Sequence, residues 1–265
     1  GAGVVVAVGD DVTDLAEGDR VAWADSPGSY AELVRVRADR ALRVPDGVDL
    51  DTAAALPLQG LTAHYLVTST YPVQQGDTIL VHAGAGGVGL LLTQLATARG
   101  ARVITTVSSS EKEALSRAAG AVEVIRYDLL QDLTAELPGL VKELAGGGVP
   151  VVYDGVGRST FDASLACLRR RGMMVLFGAS SGPVPPFDIQ RLNSGGSLFL
   201  TRPTLGHYIA TTDELRGRAD ELFAGVLDGS LDVRIGARFA LADAADAHRA
   251  LEGRATTGKV ILEIR

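Results

Sequence analysis

Residues 78–89 read TILVHAGAGGVG, an apolar run that suits a buried strand and leads straight into Gly84-x-Gly86-x-x-Gly89. Glycines at this spacing let the chain turn sharply and bring its backbone against a pyrophosphate. They also let the following helix pack on the strand with its N-terminus facing the anion. Gly84, Ala85, Gly86, Gly87 and Val88 are therefore expected to cradle a dinucleotide. The flanks agree with this reading. Residues 90–99 suit a helix that ends at Gly100 as a C′ glycine, and residues 102–107 (RVITTV) form a second strand at βαβ distance.

From Gly76 onward strand and helix patterns alternate, with strands expected at residues 79–82, 102–107, 122–125, 151–154, 173–177 and 197–201. Six strands with intervening helices specify the α/β class and a doubly wound, parallel six-stranded Rossmann sheet. Both chain ends depart from that rhythm. Residues 4–8, 15–23 and 29–36 carry short β patterns, the last two separated by a turn over residues 25–28. A helix over residues 51–56 is expected to be interrupted at Pro57 and a second to continue over residues 59–65. In the tail, helices are expected over residues 213–227 and 243–251, with a closing strand over residues 259–264. The economical arrangement places both ends in one β-rich domain beside the nucleotide sheet.

Composition narrows the function classes. The chain has 265 residues, 46% of them hydrophobic, which is ample for a core. A net charge of −7 and a pI near 5.1 argue against nucleic acid or an anionic membrane as the main partner. No apolar run reaches the roughly 18 residues of a membrane-spanning helix, and no signal peptide is visible. Cys167 stands alone, so no internal disulfide is available and a reducing cytoplasm is the expected location. It lies in an apolar helix pattern and reads as core.

Several blocks then occur in a fixed order: QGLTAHY (59–65), AGAGGVG (83–89), AAGA (118–121) with VIRY (124–127), VYDGVG (152–157), FGASSG (177–182), LTRP (200–203) and RATTGK (254–259). Together they resemble the quinone oxidoreductases of the zinc-free medium-chain dehydrogenase/reductase superfamily, the zeta-crystallin-like group. The resemblance spans nearly the whole chain. It implies a Rossmann domain at residues 59–205 and a partial GroES-like catalytic domain made by residues 1–58 and 206–265. Members of that family usually carry some tens of residues before the stretch that matches Gly1, so an upstream segment that builds part of the catalytic barrel is expected.

The choice of dinucleotide turns on charge. NAD-preferring sites place a carboxylate on the ribose 2′-hydroxyl at the end of the second strand. Here residues 105–110 read TTVSSS, with no acid, whereas hydroxyls and a cation accept a 2′-phosphate. Lys112 and Tyr127 match family residues on the phosphate side, although each alone also suits an ordinary solvated helix residue or strand end. Jointly they favour NADPH. The resemblance further implies a cofactor contact at Thr62, while Ser108, Gly155, Phe177, Gly178, Ala179, Ser180, Leu200 and Thr201 sit at C-terminal strand ends, where such sheets bind ligands, with core packing the competing reading for the apolar members. Arg202 and Arg254 suit bidentate contact with a phosphate and equally a surface ion pair.

Zinc ligands are not expected. Around Leu58 and Gln59, where the resemblance would place a ligating cysteine, there is none, and His64, His82, His207 and His248 lack ligand spacing. No triad, paired carboxylates or Tyr-x-x-x-Lys motif is present, so no catalytic acid, base or nucleophile is assigned. The expected activity is NADPH-dependent reduction of a small-molecule quinone by direct hydride transfer. The alternatives are an enoyl reductase on the same scaffold, or an NADPH-binding protein without catalysis. A homodimer joined along the last strand of the Rossmann sheet is also expected.

Overall fold

The computed structural model describes residues 1–253 and 256–264. In chain order the elements are β1 (Ala2–Val4), β2 (Arg20–Ala22), β3 (Leu42–Arg43), α1 (Leu50–Tyr65), β4 (Thr78–Val81), α2 (Gly87–Ala98), β5 (Arg102–Val107), α3 (Ser110–Ala118) and β6 (Glu123–Arg126). There follow α4 (Leu133–Ala145), β7 (Val149–Asp154), α5 (Phe161–Cys167), β8 (Leu168–Leu176), α6 (Gln190–Ser194), β9 (Phe199–Thr201), α7 (Thr212–Leu227), β10 (Ile235–Ala240), α8 (Ala244–Glu252) and β11 (Lys259–Glu263). The chain divides into two compact units. One comprises Gly1–Tyr65, Gly86–Leu91 and Leu205–Arg265, the other Leu66–Ala85 and Leu92–Thr204.

The second unit holds the parallel sheet, with strand order β6-β5-β4-β7-β8-β9 and every neighbouring pair parallel. Its six strands are those expected from the alternating pattern. Strands buried on both faces read as continuous apolar runs rather than alternating ones. Accordingly Leu80, Ile104, Val152 and Met174 are buried in one core with Leu137 and Val141 of α4. Successive strands run outward in opposite directions from β4 and β7, which makes the gap between those two strands the switch point of the sheet.

Two strand boundaries differ from expectation for identifiable reasons. Strand β8 starts at Leu168 rather than at residue 173, because its pairing with β7 passes through a register shift between Val149 and Val151. Arg171 sits there at φ +59°, and the arginines at 169–171 mask the strand in the sequence. Strand β9 starts at Phe199 because Ser197 takes a φ of +57°, which a strand cannot continue. Helix α2 begins at Gly87, earlier than the expected residue 90, and Gly100 follows it at φ +79°.

In the first unit the β patterns proved longer than the strands. Strand β1 covers residues 2–4 instead of 4–8: Ala2 pairs with Ala22 and Val4 with Arg20 on β2, and the Val5 N–H reaches the Asp19 carbonyl at 2.9 Å. Val6 and Val8 are exposed. Residues 29–36 form no strand. There Ser29 Oγ accepts from Trp23 Nε1 (2.9 Å) and Ser26 Oγ donates to the Arg35 carbonyl (2.9 Å), so side chains replace a backbone ladder.

Helix α1 runs without a break through Pro57, contrary to the expected interruption. Proline removes one backbone donor, but Ala53, Ala55, Leu56 and Leu61 on either side are buried and hold the turn in place. Helix α1 packs on α7, where a Cβ added at Gly60 would lie 3.2 Å from Leu222 Cδ1. Nearby, His64 Nε2 pairs with Glu221 (2.8 Å), Arg218 reaches His64 Nδ1 (3.1 Å), and Tyr65 stacks on Tyr208 with centroids 4.2 Å apart. Helix α7 opens with a capping box of Thr211 and Glu214. The helices expected near residues 213–227 and 243–251 and the closing strand are present. The partner of that strand, β10, pairs with β11 in parallel and was not anticipated, although Ile235, Ala237 and Phe239 alternate inward. Among the described residues no helix is long and apolar enough to cross a membrane.

Candidate cofactor site

The glycine loop leaves β4 through Ala83, a non-glycine residue at φ +55°. Such a conformation costs about 1–3 kcal/mol and persists where its surroundings enforce it. The enforcing contacts are at Gly84, whose N–H donates to the Thr106 carbonyl at 3.1 Å. A Cβ there would stand 2.5 Å from Thr105 Cβ and 2.7 Å from Ser116 Oγ, so no side chain fits. Gly87 is equally restricted in its own unit, where a Cβ would lie 2.2 Å from Gln59 Oε1. Ala85 is buried, while Gly86, Gly87 and Val88 are partly accessible and open the first turn of α2. Exposed backbone N–H groups at a helix N-terminus are suited to an anion.

The end of β5 separates the TTVSSS run into two roles. Thr105 and Thr106 are buried and bonded internally, Thr105 to Ser116 Oγ at 2.7 Å and Thr106 to His82 Nδ1 at 2.9 Å. They are therefore not available to a ligand, contrary to the reading of the whole run as a phosphate acceptor. Ser108 and Ser109 remain accessible. Ser109 caps α3 by accepting from the Lys112 N–H (3.3 Å), and Lys112 Nζ donates to Ser108 Oγ at 3.3 Å. The cap turns the helix so that Lys112 comes back over the strand end. Tyr127, half-buried, follows β6 on the neighbouring strand.

Two of the acids near this end, Glu113 and Asp128, are engaged, and Glu111 is exposed. Glu113 pairs with Arg117 (3.0 Å) and lies 4.0 Å from Arg126, and Arg126 pairs with Asp128 at 2.6 Å. Arg126 was not singled out from the sequence. Its place beside Tyr127, at the end of a strand adjacent to the second one, is the signal that could have found it.

Across the switch point, Gly155 and the FGAS segment are brought together. The Phe177 N–H donates to the Asp154 carbonyl (2.9 Å) and the Ser180 N–H to the Gly155 carbonyl (3.2 Å). A Cβ on Gly178 would lie 2.5 Å from the Gly155 oxygen, and one on Gly155 would lie 2.9 Å from Phe177 Cζ. Leu200 and Thr201 are partly buried in β9, paired with Met174 and Val175. Arg202 follows, exposed, with Nη1 on the Pro203 carbonyl at 3.1 Å. Thr62 lies in the middle of α1, in the first unit, and its hydroxyl donates to the Leu58 carbonyl at 2.7 Å. Arg254 lies outside the described residues.

Metal donors do not converge. Among the described residues no group of three or more His, Cys, Asp or Glu side chains could hold an ion. Burial pushes the Cys167 thiol up to about 12, which disfavours the thiolate a metal requires. A cavity of about 990 Å³ lies in the first unit among Val5, Val21, Trp23, Leu33 and Ile261. No residue of the glycine loop lines it, so it carries no argument about the nucleotide.

The comparisons with known proteins fit this geometry. The zinc-binding dehydrogenase family model matches residues 87–224. A quinone oxidoreductase of Pseudomonas aeruginosa is 47% identical over 264 residues, covering 99% of this chain and 80% of the relative. The chain belongs to the quinone oxidoreductase family of the medium-chain dehydrogenase/reductase superfamily. A mycobacterial protein solved with NADPH superposes with a TM-score of 0.95 at 53% identity, over 98% of this chain and 80% of that one. Escherichia coli quinone oxidoreductase, also solved with NADPH, gives a TM-score of 0.94 at 43% identity over the same shares. The zinc in the family model's description finds no matching donor set in the described residues of this member.

Proposed function

We infer that this chain catalyses NADPH-dependent reduction of quinones. The observation that carries the cofactor choice is Lys112 bonded to Ser108 at the end of β5, where an NAD site would place a carboxylate. Ser108, Lys112 and Tyr127 are assigned to the 2′-phosphate, and Gly84, Ala85, Gly86, Gly87 and Val88 to the pyrophosphate. Gly155, Phe177, Gly178, Ala179, Ser180, Leu200 and Thr201 are assigned to the nicotinamide half, because they follow the strands on the far side of the switch point. Thr62 joins that half, and Arg202 and Arg254 serve the phosphates.

When bound, NADPH supplies a hydride from the nicotinamide ring. The residues of the chain then have to hold that ring, present the acceptor to it at reacting distance and keep water away. Charge that develops on a quinone oxygen can be met by a hydrogen bond or by solvent, so the reading needs neither zinc nor a dedicated acid. The first unit, with its short strands at both chain ends, takes the part of the partial GroES-like catalytic domain. The acceptor is a planar, electron-poor ring of the benzoquinone or naphthoquinone type.

The protein is assigned to the cytoplasm, consistent with a single buried cysteine. It is assigned as a homodimer joined through β9. That strand is the outermost of its sheet, and Phe199 on it is 56% exposed, an apolar edge that a second copy would cover.

Three measurements check these assignments. Lys112→Glu is expected to weaken NADPH binding by about 10- to 100-fold, the worth of a lost charged hydrogen bond, with NADH affinity little changed. Equal loss of both cofactors would remove the 2′-phosphate assignment. With NADPH present, a naphthoquinone is expected to turn over faster than a 2-enoyl thioester, and the reverse order would make the chain an enoyl reductase. Light scattering at micromolar concentration should give a dimer that Phe199→Lys converts to monomer; a monomeric wild type would exclude the edge pairing.

A further inference from the structure

Three neighbouring strands of the second unit end in buried polar side chains: His82 after β4, Thr106 in β5 and Asp154 in β7. Thr160 and Ser164, flanking and within α5, are buried beside them. Five polar side chains in such a place are costly unless each is satisfied. They satisfy one another. His82 Nδ1 lies 2.9 Å from Thr106 Oγ1 and His82 Nε2 lies 3.0 Å from Ser164 Oγ. Ser164 and Thr160 hydroxyls each donate to Asp154 Oδ2 at 2.7 Å, and Asp154 Oδ1 accepts the Val156 N–H (2.8 Å) and the Gly157 N–H (3.0 Å).

The donors and acceptors allow one direction only. Ser164 has a single proton and gives it to Asp154, so it must accept from His82, which places the imidazole proton on Nε2. Full burial holds the His82 pKa below its ordinary value, against the opposing pull of Asp154, and keeps the ring neutral. Nδ1 is then a bare acceptor for the Thr106 hydroxyl. The result is a directed chain, Thr106 to His82 to Ser164 to Asp154, that begins at the end of β5 and terminates on the Asp154 carboxylate, into which the Val156 and Gly157 N–H groups of the 155–157 turn also donate.

That turn has no slack on its other side. Gly155 is pressed against Phe177 and Gly178, and a Cβ on Gly157 would lie 2.8 Å from the Gly182 oxygen. In a doubly wound sheet the adenosine half of a dinucleotide lies with the first strands and the nicotinamide half beyond the switch point. The chain therefore links the strand end assigned to the 2′-phosphate with the turn assigned to the nicotinamide. We propose that Thr106, His82, Ser164 and Asp154 form a positioning relay that fixes the 155–157 turn against the nicotinamide half of the cofactor. None of the four is a catalytic residue; they act through the turn. The proposal rests on the NADPH reading above.

The test compares wild type with Ser164→Ala, which cuts the relay at its middle, and with Thr106→Val, which removes its first donor while keeping the side-chain shape. Steady-state kinetics give kcat and KM, binding of 2′,5′-ADP reads the adenosine half alone, and side-chain ¹⁵N NMR reads the His82 tautomer. The expected result for Ser164→Ala is a kcat about tenfold lower, as for a small displacement of the reacting ring. Affinity for 2′,5′-ADP should stay within about twofold of wild type, the limit for an adenosine half that is not displaced. Wild-type His82 should carry its proton on Nε2. If Ser164→Ala does not fold, Thr106→Val is read in its place with the same expectation in weaker form. Unchanged kcat in the folded variant, parallel loss of 2′,5′-ADP affinity, or an Nδ1-protonated or charged His82 would each overturn the relay. Failure of wild type to bind both NADPH and 2′,5′-ADP would instead remove the cofactor reading, and the positioning role with it, while the tautomer would still report the hydrogen-bond direction.

Discussion

The contact between the Gly84 backbone and Thr105 is the constraint on which the nucleotide side of this protein depends. With 2.5 Å between a notional Cβ and Thr105 Cβ, the loop is pressed onto the neighbouring strand. The preceding Ala83 lies in the left-handed region, and the chain enters α2 at Gly87. Thr105 can receive the loop because its own hydroxyl is taken up by Ser116 of α3. The same helix carries Lys112 back over Ser108. Loop closure, the placement of α3 and the cation at the end of β5 are thus one packing arrangement rather than three separate features.

Much of this was legible in the sequence because the parallel sheet writes itself as apolar runs at regular intervals, and a six-stranded α/β domain admits few topologies. The glycine loop, the helix stop at Gly100 and the placement of Ser108 and Lys112 at a strand end were readable for that reason. The chain ends were less so. Residues 4–8 and 29–36 alternate as strands do, but alternation records only that one face is buried, and it does not record whether a ladder partner exists. Pro57 misled in the opposite sense, since burial of Ala53, Leu56 and Leu61 outweighs the loss of one backbone hydrogen bond.

The side-chain roles were hidden for a different reason. Thr105 and Thr106 resemble ligand-facing hydroxyls in a linear reading, but strand geometry and the neighbours Ser116 and His82 turn them inward. His82 looked like an isolated histidine because its partners lie 24 and 82 residues away along the chain. Arg126 and Arg117 neutralise Glu113 through contacts that no local pattern discloses. Charge in the sequence near Lys112 looks mixed, whereas in the fold Glu113 and Asp128 are engaged by arginines.

The central claim is that the end of β5 recognises a 2′-phosphate through Lys112 and Ser108. Calorimetric titration of the wild-type protein with 2′,5′-ADP and with 5′-AMP tests it most directly, because the two ligands differ only in the 2′-phosphate. At least about tenfold tighter binding of 2′,5′-ADP is expected, with an advantage that shrinks as salt screens the charge. Equal affinities, or a preference for 5′-AMP, would contradict it.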